Sequence, residues 1–315
     1  MARRFIRKEG QATFTASTQS RIELSRNYHL QYLNCKLVVN HTNLGASLLS
    51  DHFANLINSI QIVANGNKTI KHISVKKLVY NAIFGSGKAM INTVATADGA
   101  QVSTIHFSID FSRRGMVRPE DTIENGALYS TFDMLIDWAS ASNVGAGVTV
   151  DSATLSVSSN QLVEYARNAG ERISHNVETQ LSEEITSSTT EYQISLPVKK
   201  VYQALMISAT VDGVRSNDVI NAIKLKSGTT VFAELSADDL RADNIDRHKI
   251  LTDSDADGLL LLDLVGRKKL SDALDTRGNF NTLELVLDVS KQVGTNVVNV
   301  YSDVFDVESA VEVKA

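Results

Sequence analysis

The clearest pattern of metal-ligating side chains is a short acidic run in the second half of the chain. Asp253, Asp255 and Asp257 alternate with small residues and are followed by Gly258. This D-x-D-x-D-G spacing opens the calcium loop of an EF-hand, where carboxylate oxygens and a glycine turn surround the ion. The twelfth position is Leu264 instead of a bidentate Glu, which excludes a true EF-hand. Two interpretations stay open: another kind of Ca²⁺ loop on these three Asp residues, and a solvated acidic turn, which is favoured.

The other motifs that could carry chemistry are incomplete. The run Gly85-Ser86-Gly87-Lys88 resembles part of a phosphate-binding loop, but Ala89 stands where that loop needs Ser or Thr. A helix end followed by a turn explains it better. The seven His residues never occur as H-x-H or H-x-x-x-H, the spacings typical of a clustered metal centre. The sequence predicts no enzyme activity and no cofactor apart from the Ca²⁺ candidate.

Two matched carboxylates lie in apolar strands. Asp110 and Asp263 each lie inside an apolar strand that is followed by basic residues. Paired carboxylates can perform acid/base chemistry, but the alternation places both on the outer side of their strands. We interpret them as structural or interface charges. The single cysteine, Cys35, alternates in phase with Leu33 and Leu37, which indicates a buried small side chain and no disulfide.

The charge distribution singles out the N-terminus. The net charge is −5, which argues against a protein that coats nucleic acid over its whole surface. Arg3, Arg4, Arg7 and Lys8 nevertheless lie within the first ten residues. No apolar run follows them, so the pattern predicts neither a secretory signal nor a membrane span, and synthesis in the cytoplasm is expected.

Short alternating runs dominate the rest of the chain. Hydrophobic residues make up 43% of the sequence, enough for a substantial core. Apolar/polar alternation over short stretches separated by Gly, Asn and Asp predicts antiparallel strands of a sandwich or barrel. Apolar residues recur at helical spacing from Val75 to Ile83, with Ser74 as a candidate N-cap and Gly85 at the end. The fold class is therefore all-β with short helical inserts.

The sequence also repeats itself. Ile57–Ile62 reads Ile-Asn-Ser-Ile-Gln-Ile, and 220–225 reads Ile-Asn-Ala-Ile-Lys-Leu, at an offset of 163 residues. Further blocks match in the same order: Ile22 with Ile194, Leu24 with Leu196, Leu33 with Leu205, Asp110 with Asp263, and 132–137 with 283–288. A weaker counterpart of the helix begins near Ser236. These matches predict an internal duplication of one β domain, with a basic arm at 1–20, domains at 21–165 and 186–315, and a polar linker at 166–185.

Two tandem β domains without a cofactor motif resemble the double jelly-roll major capsid proteins of tailless icosahedral bacteriophages with an internal membrane, the tectivirus, corticovirus and FLiP-like groups. The resemblance covers the whole chain and rests on strand pattern and duplication. It implies two tandem jelly-roll β-barrels, and homotrimers whose six barrels form a pseudo-hexameric capsomer of an icosahedral virion.

The same resemblance implies the partners. Neighbouring capsomers, penton or minor capsid proteins would meet the trimer, and Arg3, Arg4, Arg7 and Lys8 would contact the internal membrane lipid or the genome, where each basic residue near an anionic surface contributes about 1 kcal/mol. A solvated tail is the alternative for these four residues.

Two other classes of protein share part of this pattern. A β-sandwich adhesin or spike that recognises glycan fits the strand pattern, but aromatic residues are only 6% of the chain and do not cluster in loops. A β-sandwich enzyme lacks a nucleophile–base or metal constellation. A structural capsid protein is therefore the leading hypothesis.

Overall fold

The computed structural model describes residues 3–46, 48, 50–86, 93–111, 124–163, 173–250, 253–265, 272–278 and 280–308. Within these ranges the first half contains nine strands and two helices. In chain order they are β1 (Arg3–Thr13), β2 (Gln19–Glu23), β3 (His29–Asn43), α1 (Ser50–Ala54), β4 (Ile57–Ala64), β5 (Lys68–Ile73), α2 (Val75–Ser86), β6 (Gly99–Asp110), β7 (Glu124–Asn125), β8 (Phe132–Trp138) and β9 (Val148–Val163).

The described part of the second half contains ten strands and one helix. They are β10 (Ile173–Glu184), β11 (Thr189–Ser195), β12 (Val201–Val211), β13 (Val214–Arg215), β14 (Ile220–Ser227), β15 (Thr230–Ser236), α3 (Ala237–His248), β16 (Leu259–Asp263), β17 (Leu274–Asp275), β18 (Glu284–Val289) and β19 (Asn296–Glu308). None of the helices in the described ranges is long and apolar enough to cross a membrane.

Each half folds as two facing sheets with four longer strands each, and the two-residue strands β7, β13 and β17 pair beside them. In the first half one sheet has the order β1-β9-β3-β6 and the other β5-β4-β8-β2. In the second half the orders are β10-β19-β12-β16 and β15-β14-β18-β11. Apart from β10 beside β5, the pairs are antiparallel. The all-β prediction with short helical inserts is confirmed.

Strand alternation builds the two cores. On β3, Leu33, Cys35, Leu37 and Val39 are buried, while Asn34 and Lys36 between them are exposed. Their apolar partners come from the facing sheet, where Trp138 is fully buried. The predicted burial of Cys35 is confirmed, and burial raises the pKa of its thiol. Period-two burial between two apolar sheet faces is the physical basis of a β-sandwich core.

The predicted duplication is confirmed in the strand pairing. β4 lies between β5 and β8, and β14 lies between β15 and β18. The helices α2 and α3 follow equivalent strands and have 12 residues each. Ser74 and Ser236 begin them in the same way, because each Oγ accepts a hydrogen bond from the backbone N–H three residues later.

The duplication extends further than the sequence shows. The sequence predicts an extended arm over residues 1–20, but Arg3–Thr13 is β1, hydrogen-bonded along its length to β9. The sequence predicts a linker over 166–185, but Ile173–Glu184 is β10, paired with β19 in the same way. The arm and linker are thus two copies of one strand. Their sequences share almost no residues, so the repeat is not visible in the sequence at these two strands.

The two barrels are joined edge to edge. β10, the first strand of the second barrel, lies parallel to β5 of the first, with Glu178 opposite Lys71. This pairing merges a sheet of each barrel into one continuous sheet of ten strands. The closest contact between the barrels is therefore a strand pair and not a flexible tether.

Candidate functional site

Buried charges lie where the two barrels meet. Lys71 on β5 donates a hydrogen bond of 2.9 Å to Glu178 on β10. Lys77 on α2 is paired with the other oxygen of Glu178 and with Asp303 on β19. All four side chains are almost completely buried, and the ammonium groups of both lysines are fully enclosed. Two cations from the first barrel thus meet two anions from the second.

The electrostatics of this cluster favour the charged forms. Burial by itself would raise the pKa of Glu178, but the attraction of Lys71 and Lys77 outweighs it, so the pKa lies well below the usual range. Burial would lower the pKa of Lys77, but Asp303 and Glu178 raise it above the usual value. Each lysine of the first barrel is neutralised by a carboxylate of the second, and removing one partner would leave a buried charge unpaired. The cluster therefore favours the docked arrangement of the two barrels.

An apolar contact adjoins the charged cluster. Tyr80, Ile83 and Phe84 on α2 pack against residues of the second barrel, namely Ala204, Met206, Leu259, Leu261 and Tyr301. The backbone carbonyl of Phe84 also lies 2.7 Å from Nδ1 of His248 on α3. The helix face predicted from apolar spacing at Val75–Ile83 is therefore a bridge between the barrels as well as part of a core.

The predicted acidic loop is a short helical turn followed by Gly258. The backbone carbonyls of Asp255 and Asp257 accept hydrogen bonds from Arg215, at 2.7 and 3.1 Å. The Asp257 carboxylate accepts one from Asn217 at 2.7 Å. Among the described residues no group of three His, Cys, Asp or Glu side chains is placed to hold a metal ion. Calcium at this loop stays a prediction; the Asp253 side chain lies outside the described residues.

The backbone conformation of this loop explains why glycine occupies position 258. Gly258 has a φ of +64°, and a Cβ at this position would lie 2.7 Å from the carbonyl oxygen of Ala209. Its N–H donates to Asn217 Oδ1 at 2.7 Å. Only glycine fits such a close approach of two backbones in the left-handed region. The motif is thus explained by the turn that leads into β16.

The structure places the four basic residues on β1. Arg4, Arg7 and Lys8 are exposed, and of Arg3 only the backbone is described. Arg7 donates to Ser25 at 3.2 Å and, with Glu9 and Arg26, lines an open cleft of about 930 Å³ at one end of the first barrel. The sequence predicted their proximity, but they lie on a paired strand and not on a free arm.

The remaining predicted residues are separated. Asp110 and Asp263 end β6 and β16, and both are exposed in different barrels, as the alternation predicted. The Gly85-to-Lys88 run begins at the end of α2, and residues 87–90 lie outside the described ranges. His41, which is buried, lies 2.9 Å from Ser103 Oγ.

Sequence reasoning missed the charged cluster. Lys71 lies in a short polar stretch of sequence, and Lys77 lies between the apolar positions that predict the helix. Glu178 falls within the predicted linker. Neither Lys, Glu nor Asp in isolation signals burial, since these residues are normally exposed. Only the pairing of β5 with β10 shows that they meet.

Comparison with solved structures gives whole-length matches. No family model and no curated protein sequence matches the chain. The major capsid protein of Sulfolobus turreted icosahedral virus superposes with a TM-score of 0.74 at 16% identity, covering 99% of both chains. The major capsid protein of bacteriophage PM2 matches with a TM-score of 0.62 at 14% identity, covering 96% of this chain and 98% of that one. A PBCV-1 capsid structure matches with a TM-score of 0.67 at 12% identity, covering 98% and 94%.

These identities are low, so the similarity is one of fold. It extends over both barrels in a single match, which agrees with the duplicated strand order. The narrower assignment to the FLiP-like phages stays a prediction. Two equivalent four-on-four-stranded barrels joined edge to edge, together with these whole-length matches, show that the chain has the double jelly-roll fold found in viral major capsid proteins.

Proposed function

We propose that the protein is the major capsid protein of an icosahedral virus and assembles as a homotrimer with a pseudo-hexameric outline. One observation carries the proposal: two equivalent barrels stand edge to edge in one chain, in a fold that the major capsid proteins share over their whole length. The protein then resides in the virion, and its partners are copies of itself in the same trimer and in neighbouring capsomers.

The duplication has a physical purpose in such a shell. A hexagonal lattice position needs a subunit ring with sixfold outline. Three chains of two barrels supply six similar units, and the covalent link fixes half of the contacts in advance. The charged cluster of Lys71, Lys77, Glu178 and Asp303 then keeps the two barrels of one chain in a fixed relation.

Light scattering after size exclusion tests the trimer. The expected mass is about three times the 34.3 kDa of the chain, and negative-stain images should show particles of hexagonal outline. A monomer at all concentrations, or elongated fibres typical of an adhesin, would contradict the capsid proposal.

We further propose that Arg3, Arg4, Arg7 and Lys8 face the interior and contact anionic membrane lipid or the genome, while penton or minor capsid proteins close the vertices. Support comes from the exposure of three of these side chains near one end of the barrel. Each would contribute about 1 kcal/mol near an anionic surface.

Charge neutralisation tests this contact better than truncation, because deletion of residues 2–8 would remove rungs of the β1–β9 pair. A variant with Gln at the four positions should lose flotation with vesicles rich in anionic lipid, or lose binding to nucleic acid, at low salt. Unchanged binding to both would overturn the contact. A matched control removes the same number of charges from the second barrel, with Gln at the exposed Lys199, Arg247, Lys249 and Arg277.

A further inference from the structure

We propose that one copy of the chain docks on the next by laying β1 parallel to β15 of its neighbour, with Ile6 opposite the neighbour's Ala233. The contact would repeat, between chains, the pairing of β10 with β5 inside each chain. This inference rests on the proposed trimer and specifies the surface that makes it.

The first step is the equivalence of β1 and β10. Each lies antiparallel on the outer side of the last strand of its barrel, β9 or β19. Ile6 pairs with Asn160, and Asn160 pairs in turn with Tyr32, the residue before Leu33. Glu178 pairs with Asp303, which pairs with Ala204, the residue before Leu205. Ile6 therefore occupies in the first barrel the position that Glu178 occupies in the second.

The second step is the equivalence of β5 and β15. Lys71 pairs with Ile62 on β4, and Ala233 pairs with Leu225 on β14, the matching positions of the repeated hexapeptide. Lys71 and Ala233 each lie three residues before the Ser that caps the following helix. The pairing of Glu178 with Lys71 within the chain thus maps onto a pairing of Ile6 with Ala233.

The third step is that these two edges have no strand beside them in the described part of the chain. β1 pairs with β9 alone and β15 with β14 alone. Both edges expose large apolar side chains: Ile6 is 68% exposed, and the others are Phe5, Val231, Phe232 and Leu235. An open strand edge with exposed apolar residues is a template for pairing with another chain.

The occupant is a second copy, because every chain carries both edges and they are the counterparts of β10 and β5, which pair inside the chain. The two edges differ from each other. A contact between unlike surfaces of identical chains runs head to tail and closes into a ring when the rotation allows. Each chain offers one β1 edge and one β15 edge, and its internal contact already sets how one barrel follows the next. Three chains then give six barrels joined by the same strand pairing.

The side chains at the two contacts differ in a consistent way. Lys71, Lys77, Glu178 and Asp303 inside the chain correspond to Ala233, Asp239, Ile6 and Asn160 between chains. Burying a charge without its partner is costly, and a free subunit would expose half of any shared ion cluster. At the proposed contact, Ile6 and Ala233 can be desolvated without stranding a charge. The one charged residue among the four, Asp239, is exposed and accepts a hydrogen bond of 2.7 Å from the Ser236 hydroxyl.

The helices follow the same rule. On α2 the apolar residues Tyr80 and Phe84 cover the second barrel. Their counterparts on α3 are the exposed Ala242 and Asp246, and the matching face of the first barrel carries the polar Asn34 and Ser158. A polar face suits a surface that stays in water until assembly, with the apolar edge strands at its centre.

Cysteine cross-linking tests the register. Neighbouring strands lie about 4.8 Å apart, within disulfide range for facing residues. The double variant Ile6→Cys, Ala233→Cys should give covalent dimers and trimers on oxidation, which reducing agent reverses. The native Cys35 is buried and does not interfere. A control pair, Ile6→Cys with Val293→Cys, should stay monomeric on a denaturing gel, since the fully exposed Val293 follows β18, two strands from β15.

A second variant measures how much the contact contributes to the free energy of assembly. Ile6→Asp should raise the concentration needed for assembly about tenfold or more, because a buried aliphatic contact is replaced by an unpaired charge. Val293→Asp, another exposed apolar site, should leave it unchanged. Native trimers without the specific cross-link, or trimers indifferent to Ile6→Asp, would overturn the β1–β15 contact and leave the capsid proposal intact. A chain that never trimerises would overturn both.

Discussion

Glu178 accepts a hydrogen bond of 2.9 Å from Lys71, although Lys71 belongs to the fifth strand of the first barrel and Glu178 to the first strand of the second. The two residues are 107 positions apart in the chain. They face each other on the rung at which β5 pairs with β10. The bond therefore reports directly on whether the two barrels are docked.

Neutralising Glu178 should separate the barrels or weaken their contact. In Glu178→Gln, Lys71 loses its ion pair with the Glu178 carboxylate, and Lys77 keeps only its ion pair with Asp303. Removing one partner from a buried ion pair costs about 3–5 kcal/mol, which urea unfolding followed by circular dichroism would measure. Glu184→Gln on the same strand is the control, because Glu184 is exposed and its replacement should change stability by less than about 0.5 kcal/mol. Equal effects of the two variants would contradict the role given to the cluster.

The same cluster should make stability depend on pH at both extremes. An unfolded Glu has a pKa of about 4.3, and the pKa of Glu178 is lower in the folded protein. Unfolding therefore takes up a proton in acid, and stability should fall as the pH drops below about 5. The pKa of Lys77 is raised by folding, so stability should fall again above about pH 10.4.

Melting temperatures across pH 3–11 would show this plateau. The reference is Glu178→Gln, which removes the acid-titrating group and should flatten the acid limb relative to wild type. An acid limb of the same steepness in both proteins would mean that other carboxylates control the acid response.

Most of the fold follows from the sequence. The alternation in β3 and the match of 57–62 with 220–225 predict a core strand and its copy, because period-two burial is a local property. The Val75–Ile83 spacing likewise predicts α2, whose observed bounds are Val75–Ser86. Local pattern fails at β1 and β10. Their burial depends on what lies beside each strand: one is at an open edge and the other against a second barrel, so the two copies share no hydrophobic pattern.

The contact between barrels was not predictable for a related reason. From the pattern of one strand alone, a lysine such as Lys71 is predicted to be exposed, because lysines are rarely buried without a partner. Its burial is stabilised by Glu178 and requires the strand pairing that brings the two barrels together. By contrast, the sequence left two interpretations open for Asp253, Asp255 and Asp257, a Ca²⁺ loop and the favoured solvated turn. The structure shows the backbone carbonyls of the last two accepting hydrogen bonds from Arg215.

Gly258 should be intolerant of any side chain. The left-handed φ of +64° costs an L-residue about 1–2 kcal/mol, and the Cβ of Gly258→Ala would meet the Ala209 carbonyl at 2.7 Å. We expect a loss clearly above 2 kcal/mol in chemical unfolding. Gly228→Ala is the matched control: its φ is +55° with open space around the Cβ, so it should lose only the backbone cost. Similar losses in both variants would show that the close approach at Gly258 is relieved by movement of the loop.

Calorimetric titration with Ca²⁺ decides between the two interpretations of the acidic loop. The Arg215 guanidinium already binds the carbonyls of Asp255 and Asp257, and Asn217 binds the Asp257 carboxylate. A cation there would have to displace these donors and lie beside a positive charge, which Coulomb repulsion opposes. We therefore expect no saturable heat with the wild-type protein, and no rise in its melting temperature at millimolar Ca²⁺. Saturable heat that Asp255→Ala and Asp257→Ala abolish would contradict the solvated turn and establish a calcium loop outside the EF-hand family.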